Sequence, residues 1–278
     1  MSETETEKQT GGENVEAYGE ILAWWKQKNI QTEAELAEAL HSVGVLFAFH
    51  SGKQENERVT WHDTREIFSH DGVTDYSGDL LTLLEIRNAK IAYTFFLSAF
   101  GEHRALDEAF LLRLHKLLTR NTYDARRYEI GERPGTFKRH GFVTGRYEVG
   151  APPEDTAEET RELLSELRDL PLPEEKLLTA GAYFHARLEN IRPFADGNGT
   201  TGRLALNYFL VSHNHPPVVI HEEDRAAYLG ALESWDAVQD LRPMRTFLEE
   251  QLVKTWSRRR KPAESKEAAS APKLHDFL

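Results

Sequence analysis

Apolar residues recur at helical spacing along most of the chain. Between Val15 and Leu46 they fall at Ile21, Leu22, Trp24 and Trp25, then at Leu36, Leu40, Val43 and Leu46–Phe47, one stripe for each of two predicted helices. Thr32 followed by Glu35 has the form of a capping box opening the second helix. Residues 77–119 predict two more, one carrying Leu80, Leu81, Leu84, Ile86 and Ile91, the other Leu106, Phe110, Leu111, Leu114 and Leu117–Leu118. The helical period returns at Thr156–Leu170, breaks at Pro171 and Pro173, and resumes from Glu174 to Glu189. An apolar helix over Leu204–Leu210, then Pro216-Pro217 and Val218-Val219-Ile220, precede two last helices that reach about Trp256. Only Asn121 to Pro153 differs: glycines and aromatics alternate with charges there, which predicts a β-hairpin. The expectation is a mainly α domain over residues 15–256, between a disordered terminus at 1–14 and a flexible tail at 257–278.

The 278 residues suffice for one large domain or two small ones, and 40% hydrophobic with 29% charged residues is ordinary for a water-soluble globule. No apolar run approaches the length that spans a bilayer, so no membrane partner is expected. The acidic start of the chain is unlike a secretory signal, and the absence of cysteine suits a reducing compartment; both lead to a cytoplasmic expectation. A net charge of −12 argues against broad nucleic-acid binding but leaves room for a local basic pocket.

The candidate chemistry lies in Ile191-Arg192-Pro193-Phe194-Ala195-Asp196-Gly197-Asn198-Gly199-Thr200-Thr201-Gly202-Arg203. Pro193 ends the preceding helix, and Gly197-Asn198-Gly199 permits the backbone to aim N–H groups at one point. The next helix adds its own free N–H donors and positive dipole end, as a phosphate cradle requires. Asp196 is placed to hold a divalent cation such as Mg2+ against bound oxygens, and Thr200 and Arg203 lie on the first turn, where Arg203 can clamp a further phosphate. A bare Gly-Asn-Gly is more often only a turn; the flanking Pro-Phe, Asp196 and Arg203 favour an anion site. His213 and His215 lack a third ligand nearby and suit a surface turn.

This loop resembles the signature of the Fic family, His-Pro-Phe-x-(Asp/Glu)-Gly-Asn-Gly-Arg-x-x-Arg. Pro193, Phe194, Asp196, Gly197, Asn198, Gly199 and Arg203 match it, while Arg192 replaces the His and Thr200 the first Arg. Ser51-Gly52-Lys53-Gln54-Glu55-Asn56 is similar to the family's inhibitory motif, Ser/Thr-x-x-x-Glu-Gly/Asn. The resemblance runs in order over roughly residues 40–250, and implies a Fic-like helical bundle with a β-hairpin flap. It implies ATP or another nucleotide with Mg2+ as the bound group, Glu55 paired with Arg203 as an inhibitory contact, and a protein target docked on the flap at 134–145. The family's His takes a proton from the target hydroxyl when AMP is transferred, and arginine cannot do so. Arg192 is then either an anion-stabilising group or a lost catalytic position, and His185, two turns earlier on the helix, is an alternative proton acceptor or a structural histidine. Three functional readings follow: a divergent nucleotide-site protein, an inactive binding or regulatory module, and a rerouted reaction such as hydrolysis using Arg192 and Glu55. A homo-oligomer is compatible with each.

Overall fold

The computed structural model describes residues 3–144, 147–169 and 171–260. In chain order the helices are α1 (Glu3–Gln27), α2 (Glu33–Ala39), α3 (His41–Glu55), α4 (Trp61–His70), α5 (Leu80–Gly101), α6 (Glu108–Leu118) and α7 (Ala125–Glu129). Two short strands follow, β1 (Phe142–Thr144) and β2 (Tyr147–Val149), then α8 (Pro153–Asp169), α9 (Leu177–Ile191), α10 (Asn198–Ser212), α11 (Arg225–Val238) and α12 (Arg242–Arg260). No helix among the described residues is long and apolar enough to cross a membrane.

Helix starts follow the side chains that can cap them. Thr60, Asp79, Asp107 and Asp124 each accept the backbone N–H three residues on, which satisfies a donor the helix itself cannot. The Thr32–Glu35 box forms in both directions, Glu35 N–H to Thr32 Oγ1 at 3.3 Å and Thr32 N–H to Glu35 Oε2 at 3.0 Å. The helix it opens stops at Ala39 and restarts at His41, so one expected helix is two.

Helix α10 is the axis of the fold. Every residue from Thr201 to Val211 is buried, the polar Thr201 and Asn207 and the charged Arg203 included. Helices α9, α6, α5 and α3 pack around it. Helices α1 and α12 close one side through Trp25 and Trp256, whose rings meet at 5.2 Å, and the Trp256 indole N–H donates to Pro217 O at 2.7 Å. Between α9 and α10 lies a polar spot. His185 bonds Tyr228 through Nε2 at 2.8 Å, while His185 Nδ1 and Glu189 Oε1 are buried without a hydrogen-bond partner among the described residues. Gly202 allows this approach, since a Cβ there would lie 2.7 Å from Glu189 Oε1.

The hairpin differs from expectation. Helix α1 starts at Glu3. Helix α12 carries on through residues 257–260, while the rest of the expected tail, 261–278, lies outside the described residues. No strand forms over Pro134–Gly141, and pairing is confined to Phe142–Thr144 against Tyr147–Val149. A hairpin flap covering the loop is therefore not part of the described architecture. The 134–141 segment instead spends its polar groups elsewhere: Gly135 N–H goes to His115 Nδ1 at 2.9 Å and Lys138 N–H to Pro193 O at 2.9 Å. A strand ladder cannot form from donors already committed to tertiary partners.

Acid should weaken the fold. Burial pushes His115 and His215 down to about 4 and His185 down to about 3, from an ordinary 6.5. Below 6.5 the unfolded chain takes up these protons and the native state does not, so stability falls as pH drops toward 4. Glu189, pushed up to about 7 by burial, acts oppositely between its ordinary 4.5 and 7, as do Glu85 and Glu250, which burial also raises, while His50, lowered by burial, acts with the other histidines. Urea midpoints should therefore be lower at about pH 5 than at about pH 7, and equal midpoints would contradict this account. Removing the cap with Thr32→Ala should cost about 1 kcal/mol in the same measurement.

Candidate active site

The loop between α9 and α10 is held from below by its own side chains. Arg192 ends α9 in a left-handed conformation, φ 49°, which turns the chain out of the helix. Phe194 is fully buried and stacks on His115, ring centroids 3.7 Å apart and nearly parallel. Asn198 closes the loop by accepting Phe194 N–H at 2.9 Å and donating to Phe194 O at 2.8 Å. His115 Nδ1 accepts from Gly135, so its Nε2–H donates to Asp196 O at 2.9 Å. Burial keeps that ring neutral, which this pair of roles requires. Gly197 takes φ +74°, and the N–H groups of Asn198, Gly199 and Thr200 open α10 beyond it.

Arg203 points from the first turn of α10 into the protein and is 3% exposed. Its Nε donates to Ser51 Oγ at 2.9 Å, and its Nη2 to Ser51 O at 3.0 Å and Glu55 Oε1 at 2.8 Å. Burial opposes the guanidinium charge, and Glu55 together with Tyr228 and Glu189 more than offsets this, so the group is held above its ordinary range. Glu55 is 51% exposed, so water can take over its charge if the contact opens. Gly199 makes room for it, since a Cβ there would collide with Glu55 Oε1. Asn56 fixes this end of α3 by donating to Thr82 Oγ1 at 2.9 Å and Glu85 Oε2 at 2.7 Å.

A cleft opens beside these groups, between α3, α5, α6 and the start of α10. Phe47, Val59, Ile86, Leu118 and Leu204 give it apolar walls; Ser51, Glu55, Glu85, Asp196, Gly197 and Thr200 give it a polar rim. Asp196 is half exposed and ion-paired with Arg127 at 3.1 Å. Glu85 is pushed up, first by burial and also by the negative charge of Asp196.

The expected site residues thus fall into two groups. Ser51, Glu55, Asp196, Gly197, Thr200 and Arg203 come together, with Asn56 bracing α3. Arg192 and His185 do not join them. Arg192 opens on a separate recess with Glu189, Leu229, Leu232, Glu233 and Asp236. Arg192 and Glu55 thus line different recesses. His185 is fully buried and engaged with Tyr228, out of reach of any target hydroxyl. His213 bonds Phe209 O at 2.8 Å and His215 is buried, so neither behaves as a metal pair.

Sequence reasoning missed His115, Glu85, Arg127 and Lys138. The buried Lys138 Nζ donates to Ile191 O at 3.2 Å and closes the end of α9. These partners lie far apart along the chain, 81 residues for His115 and Asp196, so no local spacing announces them.

Residues 105–210 match the Fic/DOC family. A stretch of 74 residues is 39% identical to the "Protein adenylyltransferase Fic" of Drosophila persimilis, spanning 27% of this chain but only 14% of that protein's length. Among solved structures, a Fic domain containing signaling protein from Bacteroides thetaiotaomicron superposes with a TM-score of 0.68 at 20% identity, over 86% of this chain and 93% of that one. Fic-1 (aa134–508) from C. elegans gives 0.68 at 22% identity, over 92% and 74%. The sequence match shows that the chain carries a Fic/DOC family domain at residues 105–210, and the structural likeness extends the same fold over most of the chain.

Proposed function

We propose that the cleft binds a nucleoside triphosphate with Mg2+ and passes its nucleotidyl group, AMP in the case of ATP, to a hydroxyl, with Glu55 as the brake. The supporting observation is the Ser51–Arg203–Glu55 contact at the head of α10. It occupies with a carboxylate the guanidinium that stands where a terminal phosphate would lie. The apolar walls suit a nucleobase, and the α10 N-terminus suits phosphate oxygens.

The residues also fit Mg2+. Asp196 offers half-exposed carboxylate oxygen at the cleft rim with Glu85 near it, and a hard cation prefers oxygen ligands. Bound there, the cation supplies charge neutralisation for phosphate oxygens. Arg127, now paired with Asp196, would be released toward the same anions. The reaction is read across from relatives named adenylyltransferases, with a protein docked near residues 134–145 as the source of the hydroxyl. A cytoplasmic setting is part of the same proposal.

One observation favours a second reading, a module that binds nucleotide without transferring it. Arg192 stands where relatives carry the proton acceptor, and it lies outside the cleft.

Calorimetry with ATP and Mg2+ tests the binding step. Glu55→Gly should tighten ATP on the order of tenfold, since it frees a charge-assisted donor. Asp196→Ala with Arg203→Ala should abolish binding. Equal affinities in all variants would remove the proposal. Pyrophosphate release by Glu55→Gly would then separate transfer from mere binding.

A further inference from the structure

A second histidine stands beside the loop, presented by a buried carboxylate. Glu132 is 2% exposed, and its Oε1 accepts Arg139 N–H at 2.9 Å, His140 N–H at 3.1 Å and the His140 ring at Nδ1 at 2.9 Å. A carboxylate oxygen can only accept, so Nδ1 carries the proton and Nε2 of the neutral ring keeps its lone pair. The His140 side chain is 53% exposed, so that nitrogen is reachable from outside. Glu132 fixes both the tautomer and the orientation, which is what a proton acceptor needs before substrate arrives.

The position is tied to the signature loop. His140 and Glu132 line a groove with Asp124, Arg126, Arg127 and Ala195 of the loop itself. Arg127 reaches from this groove to Asp196. Two residues before His140, Lys138 N–H donates to Pro193 O, which ties the segment carrying His140 to the loop. By contrast His115, His185 and His215 are buried and bonded within the fold, and Arg192 has no basic lone pair to offer.

Resting on the transfer reading above, we infer that His140, positioned by Glu132, is the general base that replaces the one absent at residue 192. Its Nε2 takes the proton of the acceptor hydroxyl while that oxygen bonds to the α-phosphorus. The bond from the α-phosphorus to the bridging oxygen breaks, its electron pair leaves with pyrophosphate, and the imidazolium later returns the proton to solvent. The acceptor is a protein hydroxyl, or water in its absence.

The test uses the full chain with Glu55→Gly, Mg2+ and ATP labelled at the α-phosphate, and reads pyrophosphate release and protein labelling. Adding His140→Ala should lower the rate by about 10²-fold or more, leave ATP affinity by calorimetry unchanged, and be partly restored by free imidazole. Glu132→Gln should lower the rate less, with imidazole giving no gain because His140 is still in place. A His140→Ala rate within about twofold of its parent overturns the inference, and so does a loss that imidazole cannot restore. If the parent binds ATP but releases no pyrophosphate, the base assignment falls and the binding site stands. If the parent binds no ATP, the reading of the cleft fails and the base assignment goes with it.

Discussion

A guanidinium 3% exposed to water is the constraint on which the site depends. Such a charge is tolerated only when partners replace its lost hydration. Ser51 and Glu55 do so, and both lie on α3, some 150 positions earlier in the chain. The need to satisfy Arg203 therefore sets where α3 packs against α10, and with it the wall of the cleft. Glu55 differs from Ser51 in being half exposed. Ser51 is a fixed partner, and Glu55 is the one that an anion can replace without leaving a buried carboxylate stranded.

The loop is held by the opposite kind of chemistry. Phe194 supplies apolar anchorage against His115, and Asn198 supplies two backbone-like hydrogen bonds. With the loop's shape fixed from inside, its exposed face is free to carry Asp196 and the α10 N–H groups. A neutral His115 couples the same loop to the 134–141 segment, which is why that segment runs as an irregular strap rather than a strand.

Two grooves border this loop, and they divide the chemistry. The cleft on the α3 side holds Ser51, Glu55, Asp196 and Thr200. The groove on the α7 side holds His140, Glu132 and Arg127, and Arg127 bridges the two through Asp196. Arg192 faces neither, because the left-handed turn that ends α9 directs it toward α11.

The sequence by itself determined the helices, whose apolar period and caps are local properties, and the cradle, whose glycines, Asn198 and Arg203 lie within one short stretch. It also marked Ser51–Asn56, because a six-residue pattern is legible without knowing what it touches. Only the tertiary structure decided which of these groups meet. Helical spacing put His185 and Arg192 on similar faces, yet one is sealed under Tyr228 and the other opens away from the cleft. Glycines and aromatics after Asn121 suggested a hairpin, but pairing is short, since donors there are claimed by His115 and Pro193. His115, Glu85, Arg127 and Glu132 carried no local signal at all. Their roles arise from burial and from partners distant in the chain, and packing fixes both only when the whole core assembles.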